Sequence, residues 1–157
     1  MATLGIRHAV LWVTDPVTSA DFYTEALGLE VTNTFDGGAF LSSPDSATEH
    51  DLGLFRASGA TAAKRTTGLY HISWEVATLG ELVEAKERLA RMGALVGENN
   101  HGMSRSLYCQ DPDGIEFEIM WEVPLDLYDE RDPSNVPLDL DADIARWGAD
   151  RPGRGAA

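Results

Sequence analysis

Two copies of the pattern Gly-x-x-His lie 71 − 8 = 63 residues apart in this chain: Gly5-Ile6-Arg7-His8 and Gly68-Leu69-Tyr70-His71. Each opens a β-prone run and is followed by a helix-like segment, so one structural unit is written twice, and each copy must bury the same apolar faces in the same way. A third polar landmark is Asp111-Pro112-Asp113-Gly114, leading to Glu118. Two histidines and one carboxylate carried by strands of a duplicated unit make a donor set that can hold a divalent metal on one face and leave the other open.

The first copy reads as a strand over 6–13 that ends at Thr14-Asp15-Pro16. Asp15 before proline is a good helix start, because proline at the first helical position forfeits no hydrogen bond. A helix over 16–27 then stops at Gly28, and strands over 29–35, 39–43 and 51–57 are parted by turns at Gly37-Gly38 and Ser43-Pro44-Asp45. After a loop at 58–67 the order restarts: strand 69–76, helix 79–92 with Gly93 as its stop, then strands 94–97, 104–110 and 115–122. The triplet Leu29-Glu30-Val31 matches Ala94-Leu95-Val96 at an offset of 94 − 29 = 65, so two residues were added to the second helical segment.

Leu82, Ala85 and Leu89 form one stripe of the second helix with charges elsewhere, the pattern of a helix lying on a sheet. On the strand beginning at Leu69, alternation puts Leu69, His71, Ser73 and Glu75 on one face and Tyr70, Ile72, Trp74 and Val76 on the other. The apolar set can pack on the helix; the polar set needs something polar to bind. Glu116, Glu118 and Met120 share one face of the last strand, with Phe117, Ile119 and Trp121 behind. Trp12 and Trp74 read as packing residues, and Cys109 as a small core side chain.

At 157 residues the chain suits one domain with a real core. Its boundaries read as 1–122, with modules at 4–57 and 68–122, followed by an acidic, proline-containing extension over 123–157. A formal net charge of −14 argues against nucleic acid and anionic membrane surfaces as partners. No stretch approaches the roughly 20 apolar residues of a membrane span, and the first residues are not a charged leader, so the cytoplasm is the expected compartment. A single cysteine excludes an internal disulfide framework and a thiolate-rich zinc site.

These residues resemble the vicinal oxygen chelate superfamily (glyoxalase, bleomycin resistance and extradiol dioxygenase proteins), and are most similar to its single-domain type I extradiol ring-cleaving dioxygenases. The resemblance covers nearly all of 4–122 and is most specific at 101–108 and 111–118. It implies an α+β fold in which two βαβββ modules form a cupped, half-open eight-stranded barrel with helices outside. It implies metal ligands at His8, His71 and Glu118, a proton-shuttling histidine at His50, and a substrate-oxygen contact at Tyr108. His101 falls near a further supporting position, and Asn99 or Asn100 stands where some relatives carry another histidine. The implied cofactor is Fe(II), with Mn(II) possible; the implied partners are a small aromatic substrate, dioxygen and a second copy in a homodimer.

Each role matches a chemical need. Dioxygen is a triplet and reacts sluggishly with a closed-shell ring, so a redox metal must couple the two; three protein ligands leave three positions for a catecholate and dioxygen. Histidine suits proton delivery near neutrality, and a tyrosine hydroxyl can steady a developing oxyanion. A glyoxalase-like isomerase is the first alternative, but such enzymes recruit a second carboxylate, and projecting Glu118 onto the first module gives Phe55 or Gly53. Glu49, Asp51 or Glu75 could substitute under another register. A metal-free drug-binding protein and a thiol transferase of the same superfamily are further alternatives.

Overall fold

The computed structural model describes residues 8–46, 50–57, 69, 71–129 and 131–156. The residues before His8, Glu49, the loop at 58–67, Gly68 and Tyr70 lie outside that set. The fold is α+β, with two four-stranded mixed sheets and three helices in the order β1 (Ala9–Val13), α1 (Pro16–Leu27), β2 (Glu30–Phe35), β3 (Gly38–Ser42), β4 (Leu52–Arg56), β5 (Ile72–Glu75), α2 (Leu79–Met92), β6 (Leu95–Asn100), β7 (Ser104–Gln110), β8 (Glu116–Glu122) and α3 (Leu140–Trp147). The chain divides into two compact units, residues 1–66 with 111–113, and residues 67–110 with 114–157.

In the first unit the strand order is β1-β4-β3-β2, with β1 parallel to β4 and the other pairs antiparallel. Helix α1 occupies the expected span. Asp15 caps it by accepting from Thr18 N–H, and Gly28 ends it at φ 70°, a left-handed conformation that costs glycine little. Pro16, Ala20, Tyr23 and Ala26 bury one face of α1 on the side of the sheet that carries Leu11, Val13, Ala39, Leu41, Leu52 and Leu54. The other side carries His8, Val10 and Trp12 by alternation along β1.

The second unit repeats the order as β5-β8-β7-β6, with β5 parallel to β8. Thr78 and Glu81 close a reciprocal capping box at the start of α2, and Leu82, Ala85 and Leu89 are fully buried, as their spacing requires. Each such leucine contributes roughly 1.5–3 kcal/mol of burial. Cys109 is fully buried as well.

Three features differ from expectation. β6 extends to Asn100 where the sequence suggests an end at Gly97; its last three residues are polar, and a bulge between Leu95 and Gly97 breaks the alternation that would reveal them. Trp12, expected to pack, is 69% exposed, because it shares the His8 face of β1 and not the face beneath α1. The extension contains α3, which packs on α2; Arg105 and Asp143 form a buried bidentate ion pair at 2.6 and 3.0 Å, and Trp147 lies against both Trp121 and the Arg105 guanidinium. The stretch after α3 places the Arg151 and Ala149 carbonyls on the Leu79 and Gly80 N–H groups, occupying donors that a helix start leaves without internal partners.

Candidate active site

In the second unit, His71 stands just ahead of β5 and Glu118 on the neighbouring β8, opposite Ser73 on one side and Tyr108 on the other. His71 Nε2 is 3.3 Å from Glu118 Oε2. Two ligands about 2.1 Å from one divalent ion and at right angles to each other would lie about 3 Å apart. A neutral imidazole and a carboxylate at this separation therefore fit two adjacent positions of one metal. Tyr108 extends the polar face: its ring centroid is 6.0 Å from that of His71, and its hydroxyl is 2.7 Å from His101 Nε2. His101 and Tyr108, to which the family resemblance assigns separate positions, form one hydrogen-bonded pair.

In the first unit, the His8 and His50 rings lie 4.5 Å apart between centroids, and Phe40 stacks on His50 at 4.3 Å with the planes 19° apart. His50 Nδ1 is buried and has no hydrogen-bond partner among the described residues. A buried polar atom in that condition costs free energy unless something arrives to meet it. Beyond Phe40 the aromatic surface continues through Phe55 (5.9 Å), Phe35 (5.4 Å from Phe55) and Trp12 (6.0 Å from Phe55). Gly53 lies beneath these rings: a Cβ there would come within 3.3 Å of Val10 and 3.4 Å of Phe40 and Phe55.

The strand register identifies the counterpart of Glu118 in the first unit. Two residues after His71, Ser73 pairs with Glu118; two residues after His8, Val10 pairs with Gly53. The equivalent of the carboxylate is therefore Gly53 and not Phe55, and it carries no donor.

The turn before β8 is built with the first unit. Tyr23 donates to buried Asp111 at 3.0 Å, Thr14 N–H to Asp113 at 2.8 Å, and Asp113 N–H to Asp111 at 2.9 Å, while Gly114 takes φ 80°. Burial, then the Asp111 carboxylate, pushes the Tyr23 hydroxyl far above its usual range, so it stays protonated. Asp51 accepts from Ser42, Ser43 and Ser46 and serves the β3–β4 connection. Glu75 accepts from Gly155 N–H.

Among the described residues, no three His, Cys, Asp or Glu side chains gather as ligands of one ion. His71 and Glu118 converge in the second unit, whereas His8 belongs to the first, beside His50. The sequence reading missed Asn135, whose amide oxygen is 3.0 Å from His101 Nδ1, and Phe40, since neither lies in a pattern that marks it.

A twice-used βαβββ unit with an imidazole at the head of each first strand defines a class of protein that comparison identifies. Residues 5–119 match the model of the Glyoxalase/Bleomycin resistance protein/Dioxygenase superfamily, and the chain belongs to that family. It is 29% identical over 119 residues to the catechol-2,3-dioxygenase of Bacillus subtilis (strain 168), a match covering 76% of this chain and 42% of that protein. It is also 29% identical over 121 residues to biphenyl-2,3-diol 1,2-dioxygenase 3 of Rhodococcus globerulus, covering 74% and 63%. These matches span less than two thirds of either relative. Among solved structures, a glyoxylase/bleomycin resistance protein/dioxygenase domain from Frankia sp. EAN1pec superposes with a TM-score of 0.64 at 26% identity, covering 77% of this chain and 93% of that one. A lactoylglutathione lyase from Agrobacterium tumefaciens shares the fold, with a TM-score of 0.60 at 21% identity over 76% and 95%.

Proposed function

We propose that this chain is an extradiol-type ring-cleaving dioxygenase acting on a catecholic aromatic compound, with His8, His71 and Glu118 holding Fe(II), or Mn(II) in its place. The metal supplies the one chemistry that side chains lack, coupling dioxygen to a closed-shell ring. The observation that carries the reading is the register that puts Gly53 where an isomerase of this fold would need its second carboxylate. Three protein ligands leave room for a bidentate catecholate and dioxygen; four would not. The dioxygenases among the relatives support the same choice.

The protein's own residues do the rest. His50, next to His8 and stacked on Phe40, with a buried nitrogen that has no partner among the described residues, takes the proton from a substrate hydroxyl and returns it to the opening ring. Phe40 and Phe55 offer aromatic surface beside it, suited to the flat face of a substrate ring. Tyr108 and His101, in the unit that carries Glu118, are the residues proposed to contact substrate oxygens. A homodimer in the cytoplasm is the accompanying expectation. Carrying no net attraction for polyanions at a charge of −14, the molecule is suited to small partners.

The test is anaerobic loading with Fe(II), metal analysis, then a panel of catechols in an oxygen electrode. One equivalent of iron, oxygen uptake matched to catechol consumed, and a yellow ring-opened product are expected. Iron bound without oxygen uptake on any catechol, together with turnover of a glutathione hemithioacetal under nitrogen, would replace this reading by the isomerase.

A further inference from the structure

We propose that Asn135 is a positioning residue that fixes which nitrogen of His101 carries the proton, and thereby the direction in which the Tyr108 hydroxyl points. No sequence pattern marks it: it lies in the extension, 135 − 108 = 27 residues beyond Tyr108. Its backbone is nonetheless held firmly. Val136 exchanges both backbone hydrogen bonds with Asn100, at 3.0 and 3.2 Å, and Ser134 lies so close to Gly102 that a Cβ on that glycine would come within 3.3 Å. Asn135 itself has φ 57°, the only positive φ of a non-glycine residue among those described. Asparagine tolerates that conformation better than most residues.

The amide orientation follows from its neighbours. Oδ1 faces Asn99 Nδ2 at 3.4 Å and His101 Nδ1 at 3.0 Å, while Nδ2 donates to Ser134 Oγ at 3.3 Å. A carbonyl oxygen only accepts, so the nitrogen facing it must bear hydrogen. Neutral His101 is then protonated at Nδ1 and presents a lone pair at Nε2. The Tyr108 hydroxyl, 2.7 Å away, donates to that lone pair. With the other tautomer the bond reverses: Nε2–H donates to the phenolic oxygen, and the Tyr108 proton is turned elsewhere.

Asn135 therefore decides whether Tyr108 offers the site an oxygen lone pair or a proton. The observed arrangement makes it an acceptor, poised to receive the hydrogen bond of a substrate hydroxyl before any negative oxygen develops. That consequence for substrate rests on the proposed dioxygenase reading; the tautomer assignment does not.

The experiment uses metal-free, full-length protein labelled with 15N-histidine, read by long-range 1H–15N correlation at pH 9, with the His101 signals assigned by His101→Gln. Wild type should carry its proton on Nδ1. Asn135→Gly, which suits the left-handed backbone but removes the amide, should move the proton to Nε2. Asn135→Asp, which restores an acceptor oxygen, should keep it on Nδ1. A wild-type proton on Nε2, or an Asn135→Gly protein still protonated on Nδ1, overturns the proposal. In iron-loaded protein, Asn135→Gly should lower kcat on the order of tenfold at unchanged iron affinity. Absence of oxygen uptake by wild type would refute the dioxygenase and leave the tautomer result standing.

Discussion

His50 has the rings of His8 and Phe40 beside it and a buried nitrogen without a hydrogen-bond partner among the described residues, which separates its two conceivable duties by substitution. Replacing it with phenylalanine keeps the stack while removing both nitrogens. Iron content of His50→Phe should equal that of wild type in metal analysis, and oxygen uptake should fall by about 10²-fold or more; loss of iron instead would make His50 a ligand. Cys109 shows the opposite kind of burial. Desolvation pushes its thiol from 9.0 up to about 12, so the folded protein keeps the proton that the unfolded chain releases. Its contribution to stability is accordingly constant below about pH 9 and is lost as pH rises above that value, where unfolding releases a proton. Iodoacetamide at pH 8.5 should leave the native thiol unmodified over hours and alkylate it within minutes in urea, as mass spectrometry would show.

Helix α3 is held less by its own eight residues, too few for independent helicity, than by one ion pair and one indole. Removing Asp143 strands the Arg105 guanidinium in a buried site. Asp143→Ala should therefore cost about 3–5 kcal/mol in urea unfolding, whereas the joint change Arg105→Met with Asp143→Leu should cost less than the sum of the two single changes. This element also shows where sequence reasoning stops. Helices α1 and α2 were legible to the residue because proline, glycine and capping side chains mark both ends, and β1, β4, β5 and β8 because each bears a short apolar run. Asp139 caps α3 and Gly148 follows it, the same kind of signal, but the surrounding aspartates and prolines make 139–147 read as part of a solvated acidic stretch. Its partner Arg105 lies 143 − 105 = 38 residues back, in a strand whose pattern gives no reason for a charge. Trp12 misled for a related cause: alternation assigns a face, but only the packed helix reveals which face is the core.

For the whole molecule, duplication explains both what the residues reveal and what they conceal. Tyr108 pairs with Glu118 across a ladder, and the roles proposed for His50, Tyr108 and Glu118 rest on the family resemblance; only the equivalence of His8 and His71 could be read from spacing. The Asn135 to His101 link could not, because it joins a segment outside the repeat to one within it. The two halves differ at one ladder position that bears on the site, where Glu118 in one answers to Gly53 in the other. Under the proposed ligand set, a single codon thus separates two chemistries. Gly53→Glu would supply a fourth donor, and it should tighten zinc or nickel retention against a chelator while abolishing oxygen uptake. The crowding its Cβ meets from Val10, Phe40 and Phe55 makes a modest loss of thermal stability the cost. An ancestor of such twin-module proteins could have moved between oxygen activation and isomerisation by mutating this position alone, with both imidazoles and the rest of the scaffold unaltered.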